Sequence, residues 1–486
     1  MLKLTPKTAL ALAAGLVVLV GVFQVATIRT GHVWGDDFSA YISHARNLVT
    51  GVEYGNTGYV RSPNSEVPKM YPPGFPLLLA PVYQAYGLSL TPMKAEGIGF
   101  FCVALFLFYL LVRKVGDEWP ALAAVAVIGV SPYFWDFKDT IGSDLPFLMF
   151  TYAALLVAQQ ANRWRNSPRR QVVLGFAAGL LTCVAYETRS VGIVLVPVFL
   201  LCEWLAVRKL TWFGAMMGAA FVAGVVAQKL FLPVESDYAG PLLRSLSLKA
   251  SLGSPLYYAK CLSVLWDNGH SIAAQMAVFA LISVLVVWGG WTRFRKQWSV
   301  LDVFAVCYGL FVLLFPFGGR RYLIPIMPVY VFYAFLGARE LASRWSAGVQ
   351  SVLPVALLAG MALCFAVKYG TVNWEEVPNG IQRKEVTELV ESVKREVGRD
   401  GTVVFPKARF LALFGGCKAT ECGTTESEVA ALDYFRKVGV SHVVVSRDFR
   451  DDGERFLTGL VQNKPEMFEK AFENGLFSLY RLRRLP

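Results

Sequence analysis

Charge is scarce in this sequence. Lys, Arg, Asp and Glu make up 17% of its 486 residues, where soluble domains carry about 25%. With 55% hydrophobic residues and a mean hydropathy of +0.46, that shortage excludes disorder and an ordinary soluble enzyme. Histidine is scarcer: His32, His44, His270 and His442 show no ligand spacing. Eight cysteines in so long a chain exclude a small disulfide scaffold. No glycine-rich phosphate loop is present. The net charge of +12 could suggest nucleic acid, but Lys and Arg fall in short clusters between apolar blocks. That is the pattern of a polytopic membrane protein, and no nucleic-acid partner is expected.

The apolar blocks lie near 7–28, 95–113, 119–134, 144–161, 171–186, 190–207, 211–232, 272–291, 299–317, 321–339 and 350–368. A twelfth, 72–88, is short and carries Pro72, Pro73, Pro76 and Pro81. Charge decides whether it spans. If it does not, and Lys3 and Lys7 are inside, the inner loops carry Arg113–Lys114, Arg163/Arg165/Arg169/Arg170, Arg208–Lys209, Arg293/Arg295/Lys296 and Arg339/Arg344. Those are the short basic loops that the positive-inside rule requires. Residues 72–88 are therefore read as an interfacial segment on the outer side. The expectation is about eleven spans, N-terminus in and C-terminus out. Val25-Ala26-Thr27 is a poor cleavage site, so 2–28 reads as an uncleaved first span.

Three regions fall on the outer face: the loop 29–94, the loop 233–270 with Asp237, Tyr257, Tyr258 and Trp266, and the tail 371–486. The tail reads as a small α/β unit. Helices over 383–397 and near 426–437 precede strands at Thr402–Phe405 and Ser441–Val445, and Glu473-Asn474-Gly475 signals a hairpin. Its role is either to contact sugar or position an acceptor, or to cap and stabilise. Cys417 and Cys422 on an oxidising face suggest a local disulfide, with free thiols the alternative.

Candidate chemistry sits at the outer ends of the spans. Asp36 and Asp37 open a helix that Gly51 ends, placing Asp37, Tyr41, Ala45 and Leu48 on one face. Asp144 stands at the outer mouth of the fourth span, where an acid is costly unless it faces water, a partner or a cavity. Both can be read as simple helix starts or caps. Two acids converging in one pocket would instead divide base and charge-orienting roles. Arg320 and Arg321, before Tyr322, break the charge rule by lying in a short outer loop. They are either snorkelling anchors or a guanidinium site for a lipid carrier's phosphate. Arg189 either satisfies Glu187 or meets substrate. Lys69 and Tyr71 could bring an ammonium and a hydroxyl to the same boundary.

Four motifs in order carry a family likeness. They are Asp36-Asp37 through Tyr41, Ala45-Arg46-Asn47-Leu48 and Gly51; Tyr71-Pro72-Pro73-Gly74-Phe75-Pro76-Leu77; Ser143-Asp144-Leu145-Pro146; and Arg321-Tyr322-Leu323-Ile324-Pro325. Over residues 1–345 the chain resembles the GT-C glycosyltransferases, in the branch of protein O-mannosyltransferases and lipid A aminoarabinose transferases. The resemblance implies a polyprenyl-phosphate-sugar donor used on the outer face with inversion at the anomeric carbon. It implies a first-loop aspartate as base, a second acid in the next outer loop, basic residues on the carrier phosphate, and often a soluble outer domain. Three departures stand out. Tyr71 replaces the Lys or His that often precedes Pro-Pro, with Lys69 two residues earlier. Met70 replaces an acid that ligates metal in some relatives, so no metal or other cofactor is assigned. The first acid pair is Asp-Asp rather than Asp-Glu; aligning on Tyr41 favours Asp37 as base, aligning on the pair favours Asp36.

The expected molecule is an all-α polytopic membrane protein, GT-C-like, with a small α/β extracytoplasmic domain. Residues 1–370 form the transmembrane part and 371–486 the outer domain. The expected activity moves one hexose or pentose from a polyprenyl-phosphate donor to a lipid, glycan or protein acceptor at a bacterial plasma membrane. The catalytic candidates are Asp37, Asp36 and Asp144; the substrate-binding candidates are Arg320, Arg321, Tyr322, Lys69, Tyr71, Tyr41 and Arg189. A glycan polymerase or ligase, or a lipid-linked sugar transporter, is the alternative.

Overall fold

The computed structural model describes residues 4–63, 65, 68–116, 118–164, 166–234, 254–314, 318–345, 347–422, 427–449 and 452–483. Lys3, Arg165 and Asp237, named above, lie outside them.

Each of the eleven apolar blocks contains a helix. Among the described residues, seven helices are long and apolar enough to cross a membrane: Pro6–Ala26, Leu90–Val112, Pro168–Thr188, Ser190–Val207, Trp212–Phe231, Ile272–Lys296 and Val352–Tyr369. Glu118–Gly129 and Val300–Leu314 are shorter apolar helices. The chain is a multi-pass membrane protein. Met327–Ala342 is buried nearly all round and runs through the centre of the bundle. It crosses Ile272–Lys296 at closest approach through Gly337, where a Cβ would lie 1.9 Å from the Leu285 carbonyl oxygen. Only glycine allows backbones to meet so closely.

The Pro-rich segment 72–88 holds a helix, Gly74–Tyr86, of 13 residues. At 1.5 Å per residue it is about 20 Å long, short of the ~30 Å a span needs. It packs along Asp37–Thr50. Its first residue seats against the end of Pro168–Thr188, where a Cβ on Gly74 would stand 2.5 Å from the Glu187 backbone. The Pro-Pro-Gly turn thus pins the loop 29–94 to the bundle.

The tail holds a sheet flanked by Lys384–Glu396, Ala408–Gly415, Glu428–Val438 and Asp452–Asn463. Among the described residues its strands are β1 (Tyr59–Val60), β2 (Thr402–Val404), β3 (Lys418–Thr420), β4 (Val440–Ser446), β5 (Phe468–Glu473) and β6 (Phe477–Leu482). Their order is β1-β3-β2-β4-β6-β5, parallel from β1 to β4 and antiparallel from β4 to β5. The expected hairpin at Glu473–Gly475 joins β5 to β6. Strand alternation splits the tail core. Val403 and Phe405 face one side with Leu389, Phe410 and Leu479, and Val404 faces the other with Phe435, Val443 and Leu457.

The first edge strand, β1, comes from the 29–94 loop. The same loop adds Phe38, Tyr41 and Ile42 to the Val403–Phe405 side of the core. Trp34 lies edge-on to Phe405, Phe410, Phe449 and Phe477. Backbone bonds from Thr30 to Glu375 and from Val377 to Thr30, at 2.9 and 3.0 Å, complete the join.

The expected disulfide is corrected. Cys417 and Cys422 are both buried and carry no bridge between them. They flank β3, whose three extended residues carry the chain about 10 Å, past the ~7 Å Cα separation that a disulfide tolerates.

Candidate active site

Asp37 is the first residue of its helix and Asp144 the first of Asp144–Ala161. The positive end of each helix favours a carboxylate there. Neither acid is occupied in capping its own helix. The Asp144 helix has Ser143 as its N-cap, without a side-chain bond. Asp144, 2% exposed, accepts a hydrogen bond from Arg189 through Oδ1. Its Oδ2 lies 4.0 Å from Arg321 Nη1 and has no hydrogen bond among the described residues.

Arg321 joins the two acids, because its Nη2 donates to Asp37 Oδ2 at 2.9 Å. The other Asp37 oxygen accepts from the Tyr71 hydroxyl at 2.6 Å. Tyr41 packs its ring on Tyr71 and Phe75, centroids 4.7 and 4.9 Å away, and its hydroxyl pairs with Ser143 at 3.1 Å. Arg189 lies over the Tyr322 ring at 5.2 Å. Asp37, Asp144, Arg321, Arg189, Tyr41, Tyr71 and Tyr322 thus form one constellation. Glu187 plays no part in binding Arg189, which is committed to Asp144.

Asp36 is turned away from this cluster. Its two oxygens accept the backbone N–H groups of Arg409 and Phe410, at 3.3 and 3.0 Å, opening the helix Ala408–Gly415 of the tail. It caps a helix more than 370 residues downstream. Burial pushes its carboxyl up to about 6, against the pull of Arg409 and the two amides. Burial also works to raise Asp37, but Arg321, Tyr71 and Arg409 outweigh it and hold that acid below its ordinary value. Adjacent in sequence, the two acids are driven in opposite directions.

A cavity of ≈ 630 Å³ opens beside the cluster, lined by Asp37, Arg320, Arg321, Tyr133, Asp136 and Asp267 among others. Arg320 is exposed on its wall and makes no hydrogen bond or ion pair among the described residues. Lys69 is elsewhere. It is exposed and lines a separate groove with Glu53, Arg61 and Lys418. Behind the cavity, Arg29, Lys94 and Lys138 surround buried Asp139, fixing the loop that leads to Asp36. Among the described residues, no three His, Cys, Asp or Glu side chains converge as a metal site.

Sequence reasoning missed Arg409. It is 2% exposed and reaches from the tail to the Tyr71 hydroxyl, 2.8 Å away, and to the Pro68 carbonyl. A charge inside Ala408-Arg409-Phe410-Leu411-Ala412-Leu413-Phe414 was its only signal.

Residues 71–233 match the model of the family described as dolichyl-phosphate-mannose-protein mannosyltransferase. A comparison with curated proteins finds no match. Among solved structures, ArnT from Cupriavidus metallidurans bound to undecaprenyl phosphate is similar at a TM-score of 0.60 and 14% identity, covering 98% of both chains. The fold is that of the GT-C glycosyltransferases. The oligosaccharyltransferase of Archaeoglobus fulgidus in complex with Zn and sulfate shares it, at a TM-score of 0.63 and 13% identity, over 95% of this chain and 71% of that one. The oligosaccharyltransferase AglB from Archaeoglobus fulgidus in complex with an inhibitory peptide and a dolichol-phosphate gives 0.59 and 13%, over 94% of this chain and 72% of that one. The stretch that matches the family model contains Tyr71, Asp144 and Arg189; Asp37, Arg321 and Arg409 lie outside it.

Proposed function

We propose that this GT-C chain is a membrane glycosyltransferase. It moves one sugar from a polyprenyl-phosphate donor to an acceptor hydroxyl on the extracytoplasmic face of a bacterial plasma membrane. The observation that carries the reading is the bridge by which Arg321, on the cavity wall with Asp37, joins that acid to buried Asp144 behind it. An acceptor hydroxyl attacks the anomeric carbon and gives its proton to Asp37, the half-exposed acid beside the cavity. The bond from that carbon to the phosphate oxygen breaks, and its electron pair leaves with the phosphate. Inversion follows because attack and departure lie on opposite sides of the sugar. Arg320 is the cation open to the leaving phosphate, and Arg321 supplements it while keeping the acids in place. Asp144, bonded to Arg189, is positioned to orient the acceptor or to face positive charge developing on the sugar. Tyr41 packs against Tyr71, the hydroxyl partner of Asp37, and Tyr322 lies beneath Arg189. The tail 371–486 completes the outer lobe.

The test is turnover by purified protein with labelled polyprenyl-phosphate sugars and candidate acceptors. Asp37→Asn is expected to lower it by roughly 100-fold or more while the protein still folds and binds donor. Near-wild-type turnover in that variant ends the reading of Asp37 as base. Product length separates transfer of one sugar from the polymerase or ligase alternative.

A further inference from the structure

The Asp37 environment contains a directional element that the reaction as written does not use. A phenol has one proton to donate. A guanidinium has donors alone, so whatever oxygen it binds must accept from it. Arg409 Nη1 donates to the Tyr71 hydroxyl at 2.8 Å, which leaves the Tyr71 proton free to go to Asp37 Oδ1, 2.6 Å away. Arg409 itself is fixed. Its Nη2 is held by the Pro68 carbonyl, its charge lies over the rings of Tyr59 and Tyr71 at 4.8 and 4.9 Å, and its own backbone N–H is bound by Asp36.

We propose that Arg409, supplied by the tail, is a positioning residue for glycosyl transfer: it forces the Tyr71 O–H onto Asp37 and so aims the carboxylate at the acceptor hydroxyl. The inference rests on Asp37 being the base. The acceptor proton ends on Asp37 and Tyr71 keeps its own. The charged and titratable groups facing Asp37 are Tyr71 from the Pro-Pro turn, Arg321 from the short outer loop, Arg409 from the tail and Tyr41 from its own helix, with Asp144 beyond Arg321. Removing Arg409 takes away one of the cations that lower Asp37. The acid limb of the rate profile therefore moves to higher pH.

The experiment uses the full-length chain in nanodiscs with labelled donor and acceptor, comparing Arg409→Gln, Arg409→Lys, Tyr71→Phe and the double variant of Arg409→Gln with Tyr71→Phe. Arg409→Gln is expected to lower kcat by roughly 10-fold or more, with donor KM unchanged and the acid limb shifted up in pH. Arg409→Lys restores part of both. In the Tyr71→Phe background, Arg409→Gln adds less than about 2-fold, because residues acting as one unit are not additive. An unchanged kcat and acid limb in folded Arg409→Gln overturns the proposal, as does a fully multiplicative double variant. If Arg409→Gln fails to fold, Tyr71→Phe decides, since wild-type kcat and acid limb in that variant overturn it as well. Activity in Asp37→Asn would instead remove the base assignment beneath it.

Discussion

The two ends of the helical bundle are stabilised in different ways. At the end opposite the cavity, charged groups pair over shorter separations in the chain. Arg113 bonds Glu118 five residues on, Asp302 accepts from Ser299 and from Tyr333, 31 residues on, and Lys296 meets half-buried Glu340, 44 residues on. At the cavity end, the pairs reach across the whole chain. Arg321 is 284 residues from Asp37, and Arg409 is 338 from Tyr71. Arg409, Tyr71 and Asp144 are also buried there, at a desolvation cost that exposed pairing would avoid. The lesson is that the opposite end needs its polar groups for solubility and sidedness, while the cavity end holds them in a geometry that only the complete fold can assemble.

Three substitutions sharpen this contrast. The largest effect is expected from Arg321→Ala, which leaves Asp37 and Asp144 facing each other without their shared cation. Asp37 then loses the strongest of the cationic influences that hold its carboxyl down, so that carboxyl moves up in pH. Turnover should fall by roughly 100-fold, and Arg321→Lys should recover part of it, because an ammonium cannot reproduce the planar fork. Kinetics across pH with both variants check this; wild-type profiles in each would reduce Arg321 to an anchor at the membrane surface.

A smaller effect is expected at Asp36, and on stability rather than on chemistry. Its carboxyl is raised from 3.8 to about 6 in the folded protein. The folded state therefore holds a proton that the unfolded state has released between those values. The stability that proton provides is complete below about pH 4 and lost as pH rises through 6. Asp36→Asn retains an acceptor for the Arg409 and Phe410 amides without a charge to bury. Thermal unfolding of the variant should be flatter between pH 4 and 6.5 than that of the wild type. Equal slopes would show that Asp36 does not govern this range.

The smallest effect belongs at the other end. Exposed Lys296 and half-buried Glu340 form a bidentate pair at 2.9 Å, and surface pairs of this kind contribute about 0–1 kcal/mol. Replacing Lys296 by Ala should leave turnover unchanged and move the unfolding midpoint by a degree or two at most. A large activity loss there would mean that the two ends are coupled through the central helix.

How much of this was legible in the sequence follows from the same contrast. The spans were readable because apolar blocks and basic loops are local signals. Asp37, Asp144 and Arg321 stood out because charge at the end of a span is rare enough to need a reason. Arg409 did not stand out, since an arginine in a soluble tail is ordinary until its burial is known. Lys69 misled for the opposite reason: nearness in sequence to Pro72-Pro73 suggested the cavity, but the chain buries Met70 and leaves Lys69 outside. Two residues of β1 are too few to show a period. Cys417 and Cys422 looked close only because the strand between them was invisible in their spacing.

The pairing of β1 with β3 also sets an order on biosynthesis. Tyr59 waits for Glu421, 362 residues later, roughly 20–70 s at ordinary rates of chain elongation. Until Arg409 and Phe410 have been made, Asp36 has no helix to cap and Tyr71 no guanidinium. A nascent or truncated chain lacks these contacts, so the surroundings of Asp37 take their final form only late in synthesis.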